Sequence, residues 1–189
     1  MLRSLLLCLS IMLSPAVLAE EATLPNPQVV IKTSEGDITL RLFRDKSPVT
    51  VDNFLNYADS GFYNGTIFHR VISNFMIQGG GFTADMAQKA TGDPIVNESK
   101  NRLHNTRGTI AMARTNDPDS ATSQFFINQR SNLKLDWAPG REGYTVFGEV
   151  ILGMDIVDFI ASAPTGKSGQ FSDVPVETIT IKEIVRYEP

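Results

Sequence analysis

Alternating apolar and polar residues predict a pair of strands near the beginning of the chain. Residues 29–33 and 37–43 are rich in β-branched side chains, and the polar tripeptide 34–36 separates them. A short, Gly-containing break between two such runs is typical of a β-hairpin. We therefore predict two antiparallel strands over 29–43.

Two other segments have their apolar residues at helical spacing. The first follows Ser47, a predicted N-cap, with Pro48 at the first helical position and Gly61 at its end. The apolar positions are Val51, Phe54, Leu55 and Ala58 in the first segment, and Met154, Val157, Ile160 and Ala161 in the second. This spacing predicts two α-helices.

Further β-like runs complete the pattern, at 66–72, 76–79, 109–113, 124–128, 144–151 and 178–185. The polar stretches 82–107 and 129–143 have no helical period, which excludes a doubly wound α/β sheet with a helix after nearly every strand. Seven or eight strands and two helices favour a mainly β fold, a closed barrel whose ends the helices cover. Because side chains fill a small barrel, we expect a ligand site in a groove formed by the long middle loops.

The charge and the reactive residues of the chain exclude several classes of function. Over 189 residues, 17 Lys and Arg stand against 21 Asp and Glu, a formal net charge of -4. No broad basic surface is then available for a nucleic acid. One Cys excludes a disulfide scaffold, and two His exclude a His-rich metal centre. We expect no nucleic-acid partner, no metal and no cofactor, and nothing in the sequence requires more than a monomer.

The first 19 residues are typical of an export signal. Arg3 precedes an almost wholly apolar run over 5–13, and residues 17–19 form a cleavage site. The run is shorter than the ~20 residues that a membrane-spanning helix needs, which argues against a stable membrane anchor. We predict that a signal over 1–19 is cleaved after Ala19. An extended leader over 20–28 and a folded domain over 29–187 then form the mature chain.

The run 67–81 carries the densest group of candidate functional residues and predicts a strand, a turn and a second strand. A two-residue turn would place Arg70 and Gln78 on opposite faces. A three-residue turn over 73–75 would instead pair Arg70 with Gln78 and Ile72 with Met76. That register would put a cation, an amide and a thioether on one face, which would form a candidate binding site.

Other residues of this region have a structural interpretation. Alternation places His69 on the face opposite Arg70, as a satisfied, partly buried histidine rather than a catalytic base. Glycines 79–81 are not a phosphate-binding loop, because no Lys-Ser or Lys-Thr follows and no helix begins there. We interpret them as a bend where backbone segments pass close together. A hydrolase is not indicated, since the sequence has no Gly-x-Ser-x-Gly motif.

Four segments resemble the cyclophilin family of peptidyl-prolyl cis-trans isomerases. They lie in the family's order at 68–81, 105–114, 120–128 and 146–148, and the similarity covers nearly all of the chain after the predicted signal. The resemblance implies a closed eight-stranded antiparallel β-barrel capped by two α-helices, in agreement with the pattern above. The glycine triplet followed by Phe82-Thr83, together with the export signal, is similar to the periplasmic bacterial branch. We therefore expect a periplasmic protein.

The resemblance also implies roles for individual residues. Arg70 matches the family's catalytic arginine. The substrate-binding positions are Phe75, Met76, Phe126 and Leu135 in the proline pocket, Gln78 and Gln124 beside the arginine, and Ala113 and Arg114 in the segment that meets the peptide backbone. Tyr144 stands where many eukaryotic members have a pocket histidine. Lys134 replaces a tryptophan that helps to hold the cyclic peptide cyclosporin, so we expect weak cyclosporin binding; Trp137 lies three residues too late to substitute.

The implied activity is rotation about X-Pro bonds in exported, folding proteins, with Pro-containing polypeptides as the partners. No bond breaks in this reaction, so it requires no nucleophile, base, metal or cofactor. Arg70 would stabilise the twisted amide while the apolar pocket holds the proline ring. The alternative is a noncatalytic binder or chaperone of Pro-containing extended segments, for which peptide binding without rate enhancement is expected.

Overall fold

The computed structural model describes residues 26–187, so the predicted signal over 1–19 and most of the predicted leader lie outside the described residues. The strands are β1 (Gln28–Thr33), β2 (Asp37–Leu42), β3 (Thr66–Ile67), β4 (Arg70–Ile72), β5 (Met76–Gly79), β6 (Thr109–Met112), β7 (Phe125–Asn128), β8 (Val146–Leu152), β9 (Thr165–Ser168), β10 (Phe171–Pro175) and β11 (Thr180–Arg186). The α-helices are α1 (Pro48–Asp59) and α2 (Met154–Ala161), and short 3₁₀ helices lie at Ser99–Asn101 and Leu133–Leu135. No helix within residues 26–187 has the length and apolar character to cross a membrane.

Nine of the described strands form one antiparallel sheet, in the order β3-β11-β1-β2-β8-β6-β7-β5-β4, that curls into a barrel. β3 and β4 stand at the two edges, yet only Phe68 and His69 separate them along the chain, so the barrel closes here. The predicted single strand over 66–72 is therefore wrong. The Phe68 N–H donates to the carbonyl of Ile179, directly before β11, so contact with the β11 side continues to Phe68 and ends before β4 begins. With β3 and β4 counted as one interrupted strand, the barrel has eight strands, and the predicted mainly β fold with two helices is confirmed.

The hydrophobic core fills the barrel and continues beneath α1. Phe54 of α1 packs on Tyr63, Phe125 and Phe147, with ring centroids 5.3, 5.6 and 5.2 Å away. All four rings are fully buried. Val157 of α2 belongs to the same cluster. The predicted helices thus both turn apolar residues toward the core, as their spacing requires.

The N-terminus of α1 is capped differently from the prediction. Ser47 occupies the N-cap position, but its hydroxyl makes no capping bond and donates to the carbonyl of Val146 at 2.9 Å. The Glu98 carboxylate instead accepts hydrogen bonds from the N–H and the hydroxyl of Thr50, at 2.8 and 2.6 Å. A carboxylate at this position satisfies a free helix donor and complements the helix dipole. The cap therefore comes from the long loop over 82–107 and ties that loop to the barrel.

The hairpin of β9 and β10 is absent from the sequence-based prediction. Residues 165–175 are mostly exposed, and their pairing is irregular between Phe171 and Val174, so no regular alternation marks the two strands. Asp173 lies in this irregular stretch with a left-handed φ of 61°. The hairpin forms a small sheet of its own and packs beside β4.

Candidate active site

The turn between β4 and β5 has the three-residue form. Arg70 pairs with Gln78 and Ile72 with Met76. Asn74 at the tip has a left-handed φ of 58°, which Asn tolerates better than most residues. Of the two registers compatible with the sequence, this is the one that places Arg70 and Gln78 on the same face.

A groove with a volume of about 710 Å³ lies outside the barrel, on the face of β4 and β5 that points away from the barrel core. It is lined by all ten residues that the sequence singled out: Arg70, Phe75, Met76, Gln78, Ala113, Arg114, Gln124, Phe126, Leu135 and Tyr144. Successive strand residues point to opposite faces. Met76 and Phe126 therefore line the groove, while their neighbours Ile77 and Phe125 fill the barrel.

One end of the groove is apolar. Its buried cluster is separate from the barrel core and consists of Met76, Ala111, Phe126 and Val146, with Phe75, Leu135 and Tyr144 among the partly buried residues packed against it. The Phe126 ring meets Tyr144 edge-on, with the centroids 5.7 Å apart. An open, apolar depression of this kind suits a small nonpolar ring.

Arg114 supports the apolar end. Its guanidinium carbon lies 4.6 Å from the centroid of the Tyr144 ring. The same guanidinium donates to the carbonyls of Glu142 at 2.8 Å, Gly143 at 3.2 Å and Thr115 at 2.9 Å. Because three hydrogen bonds fix its guanidinium, Arg114 holds the Tyr144 wall in place. The sequence alone does not reveal this contact, since the two residues are 30 positions apart in different loops.

Gln78 stands between the apolar end and Arg70. On β5 it pairs with Arg70 on one side and with Phe126 of β7 on the other. Its side-chain amide donates to Oε1 of Gln124 at 3.0 Å, so the two amides form a joined polar floor. The Gln78 Oε1 and the Gln124 Nε2 make no hydrogen bond within residues 26–187, so an acceptor and a donor are available in the groove that Arg70 also lines.

Arg70 is the cation of the polar end, with a side chain 43% exposed. Its Nε lies 3.9 Å from Oδ2 of Asp173 on β10, which is an ionic contact beyond hydrogen-bond distance. Within residues 26–187 the guanidinium makes no hydrogen bond, so its terminal amino groups are free to donate into the groove. Asp173 is a residue that the sequence analysis missed, because the hairpin that carries it shows no strand pattern.

Three rings form an aromatic wall beside Arg70. The His69 ring lies 4.6 Å from Phe82, which meets Phe171 of the hairpin edge-on at 5.1 Å. All three residues line the groove. The prediction that His69 lies on the face opposite Arg70 is wrong, because the break between β3 and β4 interrupts the alternation at His69.

His69 is buried, as expected, with 5% of the residue exposed. Its Nδ1 has no hydrogen-bond partner in the part of the chain that the structure describes, so the expectation of a satisfied histidine is wrong at this atom. Burial lowers the pKa of His69 to about 4; a backbone hydrogen bond at Ile67 opposes the shift and the charge of Arg70 adds to it. The imidazole is therefore neutral at pH 7.

The glycine triplet is a point of close approach, as the sequence suggested. A Cβ on Gly79 would lie 2.9 Å from the carbonyl oxygen of Ile67. On Gly81 it would lie 2.4 Å from Cγ of Gln124, inside the space that the polar floor occupies. The predicted close approach of backbone segments is confirmed at Gly79, the last residue of β5, and the predicted bend lies at Gly80 and Gly81, with a left-handed φ of 81° at Gly80. Gly81 also makes room for a groove side chain.

Comparison with known proteins gives the class of this chain. The profile of the family described as cyclophilin type peptidyl-prolyl cis-trans isomerase/CLD matches residues 28–186. The chain belongs to this family and is a peptidyl-prolyl cis-trans isomerase.

Bacterial relatives share more than half of their aligned residues with the chain. A peptidyl-prolyl cis-trans isomerase of Acinetobacter baylyi is 54% identical over 158 residues, which are 84% of each chain. Peptidyl-prolyl cis-trans isomerase B of Escherichia coli is 55% identical over 160 residues, covering 82% of this chain and 97% of the relative.

Solved structures show the same fold. The crystal structure of a cyclophilin type peptidyl-prolyl cis-trans isomerase from Cryptosporidium parvum has a TM-score of 0.73 and 31% identity, covering 87% of this chain and 99% of that one. A structure of the same protein in the presence of the dipeptide ala-pro has a TM-score of 0.71 and 31% identity, over 86% and 99% of the two chains.

Proposed function

We propose that this isomerase acts in the periplasm on X-Pro bonds of exported, folding polypeptides, as a monomer and by a non-covalent mechanism. Arg70 stabilises the twisted amide, and the apolar end of the groove holds the proline ring. The observation that carries this proposal is the guanidinium of Arg70, free to donate and separated from the apolar cluster by Gln78 alone across the sheet.

The chemistry of the reaction explains why an arginine suits the site. Rotation about an X-Pro bond meets a barrier of ~18–20 kcal/mol because amide resonance must be lost. As resonance is lost, the prolyl nitrogen recovers a lone pair that can accept a hydrogen bond. A guanidinium only donates hydrogen bonds, so Arg70 binds the twisted amide, which offers this lone pair, more strongly than the planar one.

One hydrogen bond does not account for the whole acceleration. A thousandfold to millionfold rate enhancement requires about 4–8 kcal/mol of differential stabilisation, whereas a charge-assisted hydrogen bond contributes ~1.5–3 kcal/mol. The rest is assigned to the surroundings of the amide. Phe126, Met76 and Leu135 exclude water, and the Gln78–Gln124 floor offers preorganised dipoles beside the reacting bond.

Replacement of Arg70 tests the mechanism directly. Exchange spectroscopy by NMR on an Ala-Pro peptide measures cis-trans interconversion at catalytic protein concentration. We expect Arg70→Ala to lower kcat/KM by about a hundredfold or more, since loss of one preorganised donor has this size. Arg41→Ala is the matched control, because Arg41 has a similarly exposed side chain, 49%, and does not line the groove.

The outcomes separate the mechanism from the alternative. An Arg70→Ala protein that keeps its unfolding temperature and full activity contradicts the role of Arg70. Peptide chemical-shift changes without faster exchange in the unaltered protein would favour a noncatalytic binder of Pro-containing segments, against the activity of the family.

The periplasmic location is supported by the export pattern of residues 1–19 and by the bacterial origin of the high-identity relatives. Expression in a Gram-negative bacterium followed by osmotic release should recover a protein whose first residue is Glu20. A cytoplasmic protein that keeps Met1 would contradict the proposal.

We also propose that the groove binds cyclosporin weakly. Lys134 lies exposed on the 3₁₀ helix beside Leu135, where the family's tryptophan would stand. Trp137 is not among the residues that line the groove. The groove therefore lacks an indole at its rim.

A further inference from the structure

The hairpin of β9 and β10 lies outside the barrel sheet, yet it supplies one wall of the groove. Gln170, Phe171 and Ser172 line the groove together with the barrel residues. Phe171 anchors the hairpin, because its ring packs edge-on against Phe82 at 5.1 Å. The anchor holds the following residues of β10 beside Arg70.

Asp173 is the residue through which the hairpin reaches Arg70. The pairing of β10 with β9 is interrupted between Phe171 and Val174, so Asp173 has no partner in that ladder. Its left-handed φ of 61° is uncommon for a residue other than Gly, although Asp tolerates it. The carboxylate of Asp173 lies 3.9 Å from Nε of Arg70.

The atom that makes this contact matters for the chemistry. Nε is the inner nitrogen of the guanidinium, so a carboxylate beside it leaves both terminal amino groups available to a substrate. The opposite charge also restricts a long side chain that otherwise samples many rotamers. A cation that is already oriented loses less entropy when it meets the twisted amide.

We propose that Asp173 is a positioning residue that holds the guanidinium of Arg70 over the groove. This inference rests on the proposed role of Arg70 as the hydrogen-bond donor. The carboxylate acts through Arg70 and does not contact the substrate. Because the hairpin carries Asp173, the hairpin becomes part of the catalytic arrangement although it adds no strand to the barrel.

The expected effect is modest because the ion pair is exposed. The side chains of Arg70 and Asp173 are 43% and 40% exposed, and such pairs are weak in water. Asp173→Asn keeps the shape of the side chain and removes its charge. We expect kcat/KM to fall about twofold to fivefold, with the effect in kcat and no significant change in peptide Kd.

Three further measurements make this test specific. Asp173→Glu should recover most of the loss, since it restores the carboxylate. Asp45→Asn is the matched control, because Asp45 is 44% exposed, lies 3.6 Å from Lys46 and does not line the groove. The NMR signal of the Arg70 Nε–H group in the free protein should shift in Asp173→Asn and stay in place in Asp45→Asn.

The results distinguish failure of this inference from failure of the proposed function. Full activity of Arg70→Ala removes the role of Arg70 itself. A large loss in Arg70→Ala, combined with wild-type kcat and an unmoved Nε–H signal in Asp173→Asn, overturns the positioning role alone. An equal loss in Asp173→Asn and Asp45→Asn would also overturn it, because the cause would then be net charge.

Discussion

The inner and outer faces of strands β5 to β8 use alternate residues of the same short segments for two different purposes. The neighbours Phe125 and Phe126 show the contrast. Phe125 is fully buried in the barrel and packs on the rings of Phe54 and Tyr63, each with centroids 5.6 Å away. Phe126 belongs to the groove cluster and meets the ring of Tyr144 at 5.7 Å.

This difference teaches that alternate residues of one strand serve different purposes: those on the inner face stabilise the barrel, and those on the outer face line the groove. A side chain on the inner face is enclosed by other side chains, so its removal leaves an empty cavity. A side chain on the outer face borders an open groove, where water fills the space that a smaller residue leaves. Substitution of an inner-face residue should therefore mainly lower stability, whereas substitution of its outer-face neighbour should mainly lower activity.

The largest expected effect comes from Phe125→Ala compared with Phe126→Ala. Phe125→Ala should lower the free energy of unfolding by about 3–5 kcal/mol, the usual cost of deleting an enclosed Phe. Phe126→Ala should cost less than about 3 kcal/mol, because Phe126, although only 4% exposed, borders the groove and water can enter the space that it leaves. Peptide binding should weaken at least tenfold through loss of apolar contact. Urea unfolding and peptide titration measure the two quantities.

The pair serves as its own control, since the substitutions are chemically identical and one residue apart. Equal stability losses, together with unchanged peptide affinity in Phe126→Ala, would contradict the division of the two faces.

A smaller effect tests the point where the two faces meet, at His69 between β3 and β4. The pKa of His69 is about 4 in the folded chain and about 6.5 in the unfolded chain. Between these pH values the unfolded chain binds the proton and the folded chain does not. The free energy of unfolding should therefore fall by up to about 3 kcal/mol as the pH is lowered from 6.5 to 4.

His69→Gln removes this titration and should make stability less dependent on pH. Urea unfolding at pH 7 and pH 4.5 provides the comparison, and the difference between these pH values should be smaller in the variant than in the unaltered protein. An identical pH dependence in both proteins would show that His69 is not held neutral by the fold.

The smallest expected effect concerns the rim of the groove at Lys134. Lys134→Trp should raise cyclosporin affinity about tenfold, because an indole adds apolar contact area and a hydrogen-bond donor at the outer face. Fluorescence titration measures the change. Lys134→Ala controls for loss of the charge; an equal gain in that variant, or no gain with Trp, would contradict the explanation.

Much of the candidate site could be predicted from the sequence because it lies on regular strands. Period-two alternation indicated Arg70 and Gln78, and the resemblance of four motifs to the cyclophilin family implied Phe126; these residues do meet in one groove. His69 shows where this reasoning ends. The chain leaves one edge of the sheet and joins the other between Ile67 and Arg70, so counting alternate residues across that break gave the wrong face.

The other wall of the groove could not be predicted. Phe171 and Asp173 lie in an exposed hairpin without apolar alternation, and Phe82 lies in a long loop. Their places depend on contacts with residues that are distant in sequence, such as the ionic contact between Asp173 and Arg70. A local sequence pattern does not predict such contacts, because they depend on packing between segments that meet only in the folded barrel.

The sequence by itself determined both helices, most of the strands and the residues of the barrel side of the groove, but not the interruption between β3 and β4 or the hairpin of β9 and β10. The export signal stays a prediction. These properties follow from local alternation, composition and motifs, which act over a few residues. The tertiary structure alone decided the turn register that pairs Arg70 with Gln78, the capping of α1 by Glu98, and the approach of Asp173. The cap and the approach of Asp173 each join segments that are far apart in the chain, Thr50 with Glu98 and Arg70 with Asp173, so only the folded barrel brings them together. The turn register is local, but the sequence is compatible with two registers and the structure has one of them.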